Sequence, residues 1–189
     1  MRRVTASIIS AICLALGSCS GADDGPLTVA FIGDRDSALT NSLRLSDAAQ
    51  HVRAATSQGL VSLDAEGLVV PGLADRWIVT DEGQSFVFRL QDGQWPDGSA
   101  LTAEGVRRLM DERLRDLSGT SLALDLAPVV EVRTLAERVV EFRLSSPVPE
   151  LLQILAQPEL ALTPTGEKSV PMGLFQLDER VAFDLAAPD

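Results

Sequence analysis

Gly59 to Val106 reads GLVSLDAEGLVVPGLADRWIVTDEGQSFVFRLQDGQWPDGSALTAEGV, and the spacing of its turns decides the fold. Leu60–Leu63 and Leu68–Val70 flank Asp64-Ala65-Glu66-Gly67, whose glycine supplies the positive φ of a tight turn. A small hairpin is predicted there. Pro71-Gly72 breaks it, and Leu73 to Trp77 reads as a short helical turn or loop. A strand starts at Trp77-Ile78-Val79 and turns at Asp81-Glu82-Gly83. Ser85 to Gln91 alternates, with Phe86, Phe88 and Leu90 on one face and Ser85, Val87, Arg89 and Gln91 on the other. That is the pattern of a half-buried antiparallel strand. Asp92-Gly93 and Trp95-Pro96-Asp97-Gly98 are two further turns. Thr102 then caps a helix whose Val106, Leu109, Met110, Leu114 and Leu117 recur at three- and four-residue spacing, with Arg113 set in the same stripe. Its solvent side carries Arg107, Arg108, Asp111, Glu112, Arg115 and Asp116, with Arg108 expected to pair with Glu112.

Upstream, Leu27 to Gly33 (LTVAFIG) is a short β-branched run, read as a buried strand. Asp47 with Gln50 three residues on reads as an N-cap. A helix follows through about Ser57, stopped by Gly59. Downstream, Ala127–Leu135 and Arg138–Leu144 form a second alternating hairpin. Val130 and Val132 point one way, as do Val140, Phe142 and Leu144, leaving Glu131, Arg133, Glu141 and Arg143 to pair across the open face. Ser146-Pro147 to Ala156 reads as a short helix with Pro149 near its first turn, and 157–168 as loop. Met172–Leu177 and Val181–Leu185 are short strand candidates. The sequence shows no internal repeat.

Composition restricts the function classes. The chain has 189 residues and a formal charge of −11. That balance argues against nucleic acid, since phosphates require a basic patch. The N-terminus reads as a targeting segment. Arg2 and Arg3 precede an apolar run from Val4 to Leu16, too short for the roughly 20 residues that span a bilayer. Leu16-Gly17-Ser18-Cys19 follows it and resembles the lipobox of bacterial lipoproteins, in which the cysteine becomes the acylated N-terminus. The organisation expected is a signal peptide over 1–18, a tether over 19–26 and a folded part over 27–189. The competing expectation is a plain secretory signal cleaved near Ser18 or Ala22, with Cys19 incidental. On the favoured one Cys13 falls in the removed segment and Cys19 carries lipid, so the mature chain is expected to have no thiol. It keeps 14 basic against 27 acidic residues, about −13. Acyl chains rather than charge then hold it at the membrane, and more than one is required for stable anchoring.

The central stretch resembles the extracytoplasmic solute-binding proteins, family 5, which feed peptide-, nickel- and opine-type ABC importers. The resemblance is carried by Val70-Pro71-Gly72-Leu73-Ala74-Asp75-Arg76-Trp77, the Asp81 to Gly83 turn, the Phe86 to Leu90 strand, Asp92-Gly93, Asp97-Gly98 and Leu101-Thr102-Ala103. The later hairpin and Pro171 to Leu177 are similar to the family's next segments. Gly105 departs from the usual Asp of the helix start, and Met172-Gly173-Leu174 from the usual Gly-Pro before Phe175. The resemblance implies an α/β fold of the type II periplasmic-binding-protein class, here a partial lobe with mixed sheet, β-hairpins and flanking helices. It implies capture of peptides or similar small solutes outside the cytoplasmic membrane, with an ABC permease as partner. Family ligands sit between lobes, partly against the loop after the first strand, which places Gly33, Asp34 and Arg35 as candidate ligand-binding residues. Members run to several hundred residues in two lobes, and this sequence stops where they continue into the second.

No catalytic residue, metal site or cofactor is expected. The one histidine, His51, lies on a predicted helix without a Cys or Ser partner in a motif. Asp81, Glu82, Asp92 and Asp97 could be paired carboxylates of a hydrolase, but they fall on turns where Asp has a local backbone reason to be. Trp77 and Trp95 read as packing anchors. Two other readings stand beside solute capture: a lipid-anchored adaptor or structural lipoprotein that has lost transport, and, less favoured, a secreted hydrolase.

Overall fold

Two antiparallel sheets carry the described fold. The computed structural model describes residues 43–162 and, apart from them, Val29. Residues 43–162 belong to one compact unit. The expected strands Leu27–Gly33, Met172–Leu177 and Val181–Leu185 lie outside the described residues, Val29 excepted.

Helix α1 (Asp47–Thr56) opens the described chain. Its N-cap is Ser46, one residue before the expected Asp47, and the Ser46 hydroxyl accepts from Ala49 N at 3.3 Å. Asp47 instead occupies the first turn, where a carboxylate favours the helix dipole. The first hairpin forms as read, with β1 (Val61–Leu63) against β2 (Val69–Pro71). Asp64 closes it, its Oδ1 accepting from Glu66 N and Leu68 N, and Gly67 takes φ 79°.

The segment after Gly72 differs from the reading. Leu73–Trp77 is not a helical turn: β3 runs from Ala74 to Thr80. Asp75 and Arg76 are both exposed there, so burial periodicity gives no sign of the strand. Its pairing with β4 (Ser85–Leu90) does, through a bulge between Ala74 and Arg76. Leu73 N and Ala74 N also donate to Gly59 O and Leu60 O, each at 2.9 Å. Asp81, Glu82 and Gly83 between β3 and β4 all have positive φ. Helix α2 (Ala103–Asp116) starts at Thr102, whose hydroxyl accepts from Gly105 N. A short α3 (Ser121–Asp125) leads to β5 (Val129–Ala136) and β6 (Val139–Leu144). Val130 does not face with Val132, because a bulge between Val129 and Glu131 turns it to solvent. Helix α4 covers Leu151–Leu155 only, beginning beyond Pro149, and a 3₁₀ turn over Pro158–Leu160 ends the described fold.

The four-stranded sheet has the order β3-β4-β6-β5, antiparallel throughout. Its inner face carries Phe86, Phe88, Leu90, Val132, Val140, Phe142 and Leu144, all buried. Helix α2 packs on β5 and β6 and adds Val106, Leu109 and Met110 to the same core. The opposite, outer face is the polar one.

One repeat does exist. Val87 faces Glu141 at the centre of the β4–β6 ladder. Half a turn about that pair lays Phe88-Arg89-Leu90 on Phe142-Arg143-Leu144, and β3 on β5. A three-residue match has no weight in a sequence; the register is what exposes it.

Candidate functional site

The residues expected to touch ligand or lipid, Gly33, Asp34, Arg35 and Cys19, lie outside the described residues. Within them, the most closely built polar group sits on the outer face of the sheet. Alternation along β4 and β6 puts Ser85 and Glu141 on that face, and Arg133 on β5 stands directly opposite Glu141. Ser85 Oγ donates to Glu141 Oε1 at 2.7 Å, and Arg133 Nε donates to Oε2. Glu141 is 4% exposed and Ser85 2%. Burial pushes the Glu141 carboxyl up, but the bonds from Arg133 and Ser85, with the charges of Arg133 and Arg143, outweigh it and hold it below the usual carboxylate range. Its bond in turn raises Arg133. Both carboxylate oxygens are engaged, so this cluster locks hairpin to hairpin. The sequence placed Arg133 and Glu141 as cross-strand partners; the depth of Glu141 and its bond to Ser85, fifty-six residues away, had no sequence signal.

The turn aspartates behave as turn formers. Asp97 accepts from Ser99 Oγ at 2.6 Å and Ser99 N at 2.9 Å, and these bonds lower its carboxyl. Asp92 is exposed, 3.5 Å from Arg138. The turn around Asp97 seats Trp95, 4% exposed, in the core, while Trp77 packs partly buried against it. His51 is exposed and its Nδ1 lies 2.7 Å from Asp47 O, one turn back on the helix. On α2 the pairing differs from the reading. Arg107, not Arg108, is the hub, bonded to Glu104 at 2.6 Å and Asp111 at 2.6 Å. The Arg107 bonds hold Glu104 at about 2. Arg113 is half-buried in the stripe and its pKa falls through burial. A shallow cleft of about 190 Å³ lies between α2, α3 and β5, lined by Leu114, Leu117, Ala123, Leu126, Ala127 and Val129. Among the described residues no group of three His, Cys, Asp or Glu side chains is placed to hold a metal ion, and no helix is long and apolar enough to cross a membrane.

A double-hairpin sheet backed by one amphipathic helix, with Asp64 and Asp97 closing turns, defines a binding-protein lobe of the type II periplasmic class. Residues 69–182 match the bacterial extracellular solute-binding proteins, family 5 (middle region), and the chain belongs to that family. It is 34% identical over 125 residues to a probable deoxycholate-binding periplasmic protein of Escherichia coli K12, covering 57% of this chain and 23% of that protein. Among solved structures it is similar to the agropinic-acid-bound binding protein of A. tumefaciens R10 (28% identity, TM-score 0.55, 61% of this chain and 23% of that one). A periplasmic oligopeptide-binding protein of Borrelia burgdorferi is also similar (26%, TM-score 0.57, 68% and 29%). The chain thus spans about a quarter of the length of these relatives.

Proposed function

We propose that this chain acts as the substrate-binding component of an ABC importer, capturing peptides or similar small solutes outside the cytoplasmic membrane and delivering them to a permease. The observation that carries the reading is the family match over residues 69–182. In this reading the segments are a signal over 1–18, a tether over 19–26 and a binding lobe over 27–189. Cys19 carries the lipid anchor. Gly33, Asp34 and Arg35 meet the ligand, with backbone groups supplying most of the bonds, which is how such a site accepts varied side chains. The chain catalyses no reaction; the transporter's ATPase supplies the energy.

Calorimetric titration of the purified chain with a defined mixture of tri- and tetrapeptides tests this. Saturable heat that weakens in Arg35→Ala supports it, and no saturable binding overturns it. Labelled palmitate fed to expressing cells tests the anchor: label lost in Cys19→Ser is expected, and label retained removes Cys19 from that role.

A further inference from the structure

Arg76 on β3 and Arg89 on β4 are direct cross-strand partners. Both point from the outer face and both are exposed. Like charges placed opposite each other weaken a sheet, whereas opposite charges strengthen it. The pseudo-two-fold of the sheet supplies an internal control. Arg143 is the symmetry mate of Arg89, and the residue opposite Arg143 on β5 is Glu131. At equivalent positions, then, this fold makes a complementary pair on one side and a repulsive pair on the other. Among the described residues Arg89 makes no hydrogen bond or ion pair. Arg76 meets only its exposed neighbour Asp75, at 3.4 Å, a pair that solvent screens. All this sits in a chain of net charge −11.

The surroundings favour a strand-like occupant. β3 is the edge of the sheet: Ala74 at its start is bonded to Leu60, and beyond it, among the described residues, no strand pairs with Arg76–Thr80 on the outer side. Ile78, 59% exposed, follows Arg76 on the same face. Edges of this kind accept an extended segment through main-chain bonds, with alternate side chains supplying selectivity. We infer that the β3 edge with the Arg76–Arg89 pair is a docking surface for an acidic, extended segment of a partner protein, whose carboxylates bridge the two guanidiniums while an apolar side chain covers Ile78. Guanidinium suits this role because its planar fork matches a carboxylate.

The test uses the whole chain and an acetylated, amidated octapeptide alternating Glu with Thr and carrying one Val, with a Lys-for-Glu version as reference. Fluorescence anisotropy and amide shifts of residues 74–80 are read. Expected are saturable binding of the Glu peptide, shifts confined to β3 and its neighbours, and affinity that falls at least tenfold at high salt and in Arg76→Glu. Arg115→Glu, a charge reversal on α2, leaves binding unchanged. Arg76→Glu also raises the melting temperature, because it recreates the Glu131–Arg143 arrangement. Stability gained as binding is lost is a signature that mere misfolding does not produce. Equal binding of the Lys peptide, or binding indifferent to Arg76→Glu, overturns the inference. So does binding to phosphatidylglycerol vesicles but not to the Glu peptide, which assigns the arginines to lipid.

Discussion

Phe88 and Phe142 meet edge to face, ring centroids 5.5 Å apart and planes at 76°. They are the symmetry mates of the two hairpins, one from each, and neither is exposed to solvent. Each hairpin alone is a marginal structure in water, and two joined with a helix on one face are not. The contact between these rings is therefore where two weak units become one sheet. Phe142→Ala is expected to lower stability by about 3–5 kcal/mol, the range for deleting a buried ring, while Phe142→Leu loses about 1.5 kcal/mol or less if the sheet repacks. Urea denaturation at neutral pH measures both, and an alanine variant with an unmoved midpoint would remove this pair from the centre of the core.

Glu141 makes the sheet acid-sensitive. Its folded pKa lies below the ordinary 4.5, so the native state binds fewer protons than the unfolded chain in the window beneath that value. The stabilisation is complete above about pH 5 and is lost as pH falls through the folded value. Glu141→Gln is expected to cost about 1–2 kcal/mol at neutral pH, the modest figure reflecting a partly solvated Arg133. The gap between wild type and variant should narrow as pH falls below about 5 and through the lowered folded value, because protonation makes the two side chains alike. A gap independent of pH would show that the carboxylate's charge is not what Arg133 and Ser85 hold.

Periodicity made the hairpins legible, because each strand buries alternate residues: Phe86, Phe88 and Leu90, then Val140, Phe142 and Leu144. Where a bulge or an edge breaks alternation, the sequence misleads. Val130 is turned outward by the Val129/Glu131 bulge, and Asp75-Arg76 are strand residues whose exposure is that of a loop. The starts of the two longer helices are legible to within a residue: Thr102 caps as read, but Ser46 rather than Asp47 caps α1, since both types satisfy an amide and only geometry decides between them. The short helix read from Ser146-Pro147 begins only at Leu151, and α3 has no signal in the sequence. The Ser85–Glu141 bond and the Arg76–Arg89 pair depend on register between distant segments, which local pattern does not contain. The candidate ligand loop came from family resemblance alone.

Thr102 and Gly105 start α2 with half of a capping arrangement. The hydroxyl accepts from Gly105 N at 3.1 Å, yet the third helical position has no side chain to answer it. Thr102→Ala should cost about 1 kcal/mol, and Thr102→Ser close to nothing. Gly105→Glu is expected to gain about 0.5–1 kcal/mol, by relieving the glycine of its backbone entropy and by completing the reciprocal bond to the cap. A new Cβ stands 3.2 Å from the Thr102 hydroxyl, a single side-chain atom able to give by tenths of an ångström. Thermal melts of the three variants check the order; a destabilised Gly105→Glu would show that the hydroxyl cannot move.

Gly72 is read from sequence as a breaker, and its work is different. Its φ is not in the left-handed region; what it provides is space. A Cβ there would stand 2.5 Å from Gly59 O and 3.0 Å from Leu60 O, both backbone atoms. Those same carbonyls accept from Leu73 N and Ala74 N at 2.9 Å. They are fixed by the bonds that bring the two segments together, so neither can retreat without losing one. Gly72→Ala is accordingly expected to cost about 2–3 kcal/mol, at the upper end of overpacking effects. Gly93→Ala, where an added Cβ meets nothing within 4 Å, should change stability by about 0.5 kcal/mol or less. Hydrogen exchange at the Leu73 and Ala74 amides locates the damage: faster exchange in Gly72→Ala, and none in Gly93→Ala, is the expected pattern. Equal protection in both would mean that the Gly59–Gly72 approach does not hold the first hairpin to the large sheet.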